Sequence, residues 1–248
     1  MKKIGILLLL LSLSAGCVTS GDVQPLQTQE GRSKVRDAYV DLAKGYLREG
    51  MTSQAKQPLQ KVLDMNARDS EALEIFGLVF WREVEPELAE SYFKRALAIK
   101  RETRTLNNYA SFLYDQKEYE RAMDLYTEAA SDVMYHNRAG IFERMGQTAL
   151  RLERDDAAQY FERAVRIDYF RETSLLELAV LKYQQKDYVT SQQFYDSYLE
   201  IADHNAKSLL LGTRLAKTFG DRNKAASLGL QLKKIYPASE EYLTYSKE

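Results

Sequence analysis

The residue types that build active sites are scarce in this 248-residue sequence, which has two histidines, one cysteine and one tryptophan. His136 and His204 are far apart in sequence, and neither has the i, i+4 partner of a helical zinc site. Each falls near a hairpin junction, where a solvated polar residue is expected. Acid pairs such as Asp155-Asp156 and Glu240-Glu241 fall at helix starts, where they complement the helix dipole. No glycine-rich phosphate loop occurs. Enzymatic chemistry is therefore not expected, nor a metal, a cofactor or a small-molecule substrate. Four prolines and 12 glycines exclude collagen-like and low-complexity chains. No apolar run reaches ~18 residues, so no membrane-spanning helix is expected. Charge of either sign is not in excess: 35 Lys and Arg stand against 36 Asp and Glu. That balance argues against a nucleic-acid partner, which needs a basic surface to neutralise phosphates.

What is present begins at the N-terminus. Lys2 and Lys3 make a positive n-region, Ile4 to Leu13 a short apolar h-region, and Ser14-Ala15-Gly16 the small residues a signal peptidase requires. Cys17 follows directly, an arrangement similar to the lipobox of bacterial lipoproteins, although the usual leucine three residues before the cysteine is Ser14 here and Leu13 lies one further back. The expectation is a lipoprotein signal peptide over 1–16, with Cys17 lipidated. At ~0.8 kcal/mol per buried methylene, its acyl chains would anchor the protein permanently. The absence of aspartate at Val18 fits sorting to the outer membrane, facing the periplasm. Residues 17–34, rich in Gly, Ser, Thr and Gln, read as a flexible tether.

From residue 35 to 248 the chain shows a helical period and a repeat. Small residues recur at Ala55, Ala89, Ala122, Ala157, Ser191 and Ala225, 33 to 35 apart. Four residues later come Leu59, Phe93, Tyr126, Phe161 and Tyr195, then Gly229. Three further come Val62, Ala96, Ala129, Ala164, Tyr198 and Leu232. Preceding helices carry the pairs Leu42-Ala43, Phe76-Gly77, Tyr109-Ala110 and Leu178-Ala179. A small residue lets two helices of one hairpin approach, and a large one fills the gap to the next. The fold expected is all-α, a tetratricopeptide superhelix of about six helical hairpins. Pro58 inside the second helix predicts a late start or a kink there. The fourth unit fits best with Met145-Gly146 as its pair, predicting irregularity mid-array. Ser239 followed by acids predicts a short closing helix after Pro237.

A binding groove is expected along the first helices of the hairpins. Projection places Val40, Lys44 and Leu47 there, then Glu74, Leu78 and Trp81, then Asn107, Ser111 and Tyr114, then Leu176, Val180 and Tyr183. Trp81 and Tyr114 are the residue types that carry hot-spot energy, if they do not merely pack between hairpins. Lys44 and Arg104-Asn108 only partly match a clamp for a peptide carboxyl terminus. A partner helix or extended segment is the expected occupant.

The run Asn107-Asn108-Tyr109-Ala110-Ser111-Phe112-Leu113 resembles the NNYGxFLC signature of the type IV pilus pilotins, the PilF/PilW-type lipoproteins. Asp132-Val133-Met134-Tyr135, Leu211-Gly212-Thr213-Arg214-Leu215-Ala216, Gly220-Asp221-Arg222 and Tyr236-Pro237-Ala238-Ser239 extend the resemblance nearly end to end. It implies an outer-membrane lipoprotein that binds pilus secretin subunits and promotes their assembly. It also implies that a disulfide usual in the family is missing, since Tyr114 and Thr148 stand at its two cysteine positions, leaving that junction to packing alone. The rival expectation is a tetratricopeptide lipoprotein that scaffolds outer-membrane protein assembly or peptidoglycan enzymes.

Overall fold

A small residue facing a large one sets the spacing inside each hairpin. The computed structural model describes residues 27–248, so the signal segment, Cys17 and the first part of the tether lie outside the described residues. Among the described residues there are thirteen helices and no strand. The described residues divide into two compact units, one ending at Ala67 and the other running from Arg68 to Glu248.

The first unit holds one hairpin, α1 (Gln29–Arg48) and α2 (Thr52–Met65). Helix α1 begins inside the stretch expected to be tether, because the Thr28 hydroxyl accepts from the Gly31 N–H at 2.9 Å and caps it. Ala43 is fully buried, whereas its pair member Leu42 is 46% exposed. The late start expected of α2 does not occur. Its first residue is set by the hairpin turn, and Pro58 sits buried within the helix beside Ala55, Leu59 and Val62. Burial of that apolar stripe offsets the one hydrogen bond the proline removes.

The second unit holds five hairpins: α3 (Ser70–Arg82) with α4 (Pro86–Ile99), α5 (Thr103–Asp115) with α6 (Tyr119–Ala130), α7 (Arg138–Arg151) with α8 (Ala157–Ile167), α9 (Glu172–Gln184) with α10 (Tyr188–Leu199), and α11 (Ala206–Thr218) with α12 (Arg222–Ile235). A short α13 (Glu240–Tyr245) follows, capped by the Ser239 hydroxyl, which accepts from the Tyr242 N–H. The repeat positions are the core: Ala89, Phe93, Ala96, Ala122, Tyr126, Ala129, Phe161, Ala164 and Tyr195 are sealed from solvent. In the fourth hairpin Gly146 is the close-contact position, since a Cβ there would stand 2.7 Å from the Phe161 ring. The last hairpin departs from the repeat. Leu228 rather than Gly229 faces Gly212, and Gly229 instead makes room for the Tyr245 hydroxyl of α13.

Every hairpin in both units turns the same way. One residue of each turn has positive φ: Gly50, Val84, Lys117, Glu153, Lys186 and Gly220. The next N–H then reaches back to the carbonyl five residues earlier, as from Met51 to Tyr46 at 2.8 Å and from Glu85 to Phe80 at 2.9 Å. This Schellman closure satisfies carbonyls that the helix end would otherwise orphan. The junctions between hairpins are less uniform. In the second unit they run 100–102, 131–137, 168–171 and 200–205, and the longest precedes α7, where the repeat pattern was irregular.

Polar contacts, buried or partly buried, tie α3 to α5, α7 to α9 and α9 to α11. The Glu74 carboxylate, 1% exposed, accepts from Arg104 at 2.9 Å, Thr105 at 2.9 Å and Asn108 at 2.7 Å. Glu143 accepts from the Ser174 hydroxyl at 2.8 Å, and Glu177 from the Lys207 ammonium at 2.6 Å. Charged acceptors of this kind are costly to bury alone and specific when matched.

Candidate functional site

In the second unit the first helices α3, α5, α7, α9 and α11 lie side by side and form one face. Burial sorts the residues expected on it. Leu78 and Trp81 of α3 are partly exposed, and the Trp81 ring stands edge-on to Phe112 at 6.0 Å. Asn107 and Ser111 of α5 are partly exposed, with the Ser111 hydroxyl on the Asn107 carbonyl and 2.9 Å from the Tyr126 hydroxyl. Burial pushes the Tyr126 phenol up to about 12, although the Ser111 contact opposes it. Tyr114 and Tyr183 occupy equivalent last-turn positions. Each ring rests against the first tyrosine of the helix that follows, Tyr119 or Tyr188, at 5.2 Å. Tyr114 is thus half packing and half surface. Its hydroxyl accepts from Arg151 of α7 at 3.3 Å, so the α5–α7 junction has a hydrogen bond as well as packing. That contact raises the Arg151 pKa.

Glu74 and Leu176 are buried and offer no surface. Arg104 and Asn108 both hold Glu74, which leaves neither free to clamp a peptide carboxylate. Burial pulls the Arg104 pKa down, and the Glu74 and Glu71 carboxylates more than reverse it. In the first unit Val40 and Leu47 are buried, while Lys44 is half-buried with its ammonium 4.0 Å from Asp41. Cys17 lies outside the described residues.

Val180 and Tyr183 do converge on a cavity. They line a cleft of about 300 Å³ together with Leu210 and Arg214 of α11 and Glu240 and Glu241 of α13. Its floor is apolar and its rim charged. Lys207 on the rim is held by Glu177, and the Arg214 guanidinium by Glu248. Glu240 and Glu241, in the first turn of α13, form no ion pair among the described residues, so the rim presents two carboxylates to an incoming segment. Sequence projection missed the α11 contribution. The signal was available: 34 residues beyond Leu176 and Val180 stand Leu210 and Arg214. The histidines stand apart from the cleft walls. His136 is exposed against the Tyr135 ring, and His204 is half-buried with its pKa lowered by burial and by nearby Lys224.

A family model for the tetratricopeptide repeat matches residues 40–104. The chain is 45% identical over 235 residues to the type IV pilus assembly protein PilF of Pseudomonas aeruginosa, covering 94% of this chain and 93% of that protein. A solved structure from a functional characterization of Pseudomonas aeruginosa PilF superposes with a TM-score of 0.83 and 43% identity, over 88% of this chain and 99% of that one. A crystal structure of PilW, described as a widely conserved type IV pilus biogenesis factor, superposes with a TM-score of 0.71 at 23% identity, over 85% and 98%. At that identity the likeness shows the fold alone. The chain belongs to the PilF family of type IV pilus assembly proteins.

Proposed function

We propose that this chain is a pilotin: an outer-membrane lipoprotein, acylated at Cys17, that binds subunits of the type IV pilus secretin in the periplasm and promotes their localisation and assembly. The observation that carries the reading is the relation to PilF over 94% of the chain, beside the lipobox-like run that ends at Cys17 in this sequence. The α9–α11–α13 cleft supports protein binding rather than catalysis. An apolar floor of Val180 and Leu210 takes aliphatic side chains, Tyr183 gives a rigid wall, and Glu240 and Glu241 face a lysine or arginine of the bound segment. The acyl chains supply the address, and tethering raises the local concentration of captured subunits at the membrane. No step of this scheme makes or breaks a bond in the partner.

Cys17→Ala tests the scheme. Heat-stable secretin multimers in outer-membrane fractions are expected to fall sharply, with monomers accumulating elsewhere. Undiminished multimers in a strain expressing only the variant overturn it.

A further inference from the structure

The two edges of the second unit differ in what they show to solvent. At the edge made by the hairpin turns, Lys117, Glu153 and Lys186 stand at the tips, and the exposed apolar side chains there, Val84, Val189 and Phe219, come one to a turn. On the junction edge they are clustered. Met134 is 87% exposed, Phe170 75% and Val133 69%, and Ile167 and Tyr169 are exposed beside them. These residues come from successive junctions, 131–137 and 168–171, with Ile167 the last residue of α8. The Arg171 guanidinium donates to Asn137 at 2.8 Å and brings the two junctions together.

Neither junction dangles. Both use one device, an aspartate whose Oδ1 accepts from the N–H two residues on: Asp132 from Met134 and Asp168 from Phe170, each at 3.1 Å. The second oxygen is occupied too, Asp132 by the Thr103 hydroxyl at 2.6 Å and Asp168 by Arg171 at 2.9 Å. The charges in these turns are therefore spent on the protein, and each turn holds an apolar pair outward: Val133-Met134 on one, Tyr169-Phe170 on the other. Tyr169 also donates from its hydroxyl to Glu200 at 2.8 Å. Ordered, protruding apolar side chains of this size are not needed by the core, and they lose little freedom on insertion into an apolar phase.

We propose that this junction edge docks on the surface of a lipid bilayer, with Val133, Met134 and Phe170 entering the acyl boundary and Tyr169 seated among the headgroups. The proposal rests on the acylation of Cys17 put forward above. Eleven residues lie between Cys17 and Gln29, the first residue of α1, so the anchor holds a bilayer within about 40 Å of the start of that helix. The apolar groups protrude from turns rather than line a pocket. An aromatic hydroxyl beside aliphatic knobs is the composition of interfacial segments. Arg166 is exposed next to Ile167 and forms no ion pair among the described residues, which leaves it for a lipid phosphate. Docking by this edge would give the tethered domain one preferred orientation and leave the α9–α11–α13 cleft to the partner.

Cys17 is the sole cysteine, and acylation blocks it, so an introduced thiol is a unique labelling site. Met134→Cys, Phe170→Cys and, on the turn edge, Lys117→Cys are labelled with an environment-sensitive fluorophore in the full lipidated chain. The chains are reconstituted on vesicles of phosphatidylethanolamine with a minority of phosphatidylglycerol. The expected result is a blue shift and quenching by nitroxide-bearing lipid at 134 and 170, with neither at 117. Flotation reports anchoring separately from the label. A chain that floats while 134 and 170 stay as wet as 117 overturns the docking edge and leaves the anchor standing. A chain that does not float overturns both. Spectra at 134 and 170 that change only when secretin is added assign the edge to a protein partner and overturn the bilayer.

Discussion

Val84 holds φ at +61° with its side chain 83% exposed, so a β-branched residue carries left-handed strain and gains almost no burial in return. Left-handed backbone costs a side chain about 1–2 kcal/mol, and glycine escapes it. Val84→Gly is therefore expected to raise unfolding free energy by about 1 kcal/mol in urea titrations, with an unchanged slope. The Schellman bond from Glu85 to Phe80 should persist, because it needs only the backbone. A second position tests polar burial. The Tyr195 hydroxyl is buried with no hydrogen-bond partner among the described residues, and burial pushes its pKa up. It points at Gly212, where a Cβ would also meet Leu228 at 3.0 Å. Tyr195→Phe should be neutral or stabilising by up to about 1 kcal/mol, since it removes an orphaned group and keeps the ring. Gly212→Ala should destabilise by about 1–3 kcal/mol, and Tyr195→Phe in the same chain should return part of that loss. Strict additivity in the double-mutant cycle would show that the hydroxyl is not the obstacle.

Between elements, the hairpins were legible because their grammar is short-range. A small residue and a large one sixteen positions on must touch across a three-residue turn, so Gly77 and Phe93 declare each other. Helix starts were less legible. Pro58 predicted a late start or a kink, and the turn at 49–51 set the start at Thr52. Only two of the six positive-φ turn residues are glycine, which hid the common turn. Contacts between hairpins depend on side chains some thirty residues apart whose rotamers no period encodes, and Glu74 with Arg104 is the clearest case. Only part of the cleft follows from the period: Val180 and Tyr183, placed by the repeat on the first-helix face, line it, whereas the rim from α13 follows from how the array ends. One such contact gives a pH prediction. Glu90 of α4 accepts from Lys94 at 2.8 Å, Arg121 of α6 at 2.6 Å and Tyr109 of α5 at 2.9 Å. The Lys94 bond, then those of Arg121 and Tyr109, against the opposing effect of burial, lower its pKa from 4.5 to about 2. A carboxylate depressed in the folded state contributes stability that is complete above 4.5 and lost as pH falls towards 2. Thermal melts over that window should show a steeper loss for the native chain than for Glu90→Gln. Parallel curves would remove Glu90 from the acid response.

At the scale of the whole second unit, stability is set by which hairpins have neighbours on both sides. The largest cluster of sealed side chains runs from Ala89 of α4 to Leu178 of α9, with Phe93, Tyr126, Phe142 and Phe161 at its centre. The terminal cluster has four buried leucines, Leu209, Leu210, Leu228 and Leu232, and Tyr242 and Tyr245 of α13 pack against it. Two further contacts fasten α13. The Arg214 guanidinium binds Glu248, and the Lys217 ammonium stands 5.1 Å over the Tyr245 ring. In a stack governed by nearest neighbours, a terminal cap acts on the hairpin it covers and decays beyond it. Deleting residues 239–248 should therefore strip hydrogen-exchange protection from α11 and α12 while the amides of α5 to α8 keep theirs. The α9–α11–α13 cleft would lose its acidic rim, and affinity for a cationic segment should fall with it. If protection instead drops evenly from α3 to α12, the unit opens as one body, and α13 is a strut of the whole array.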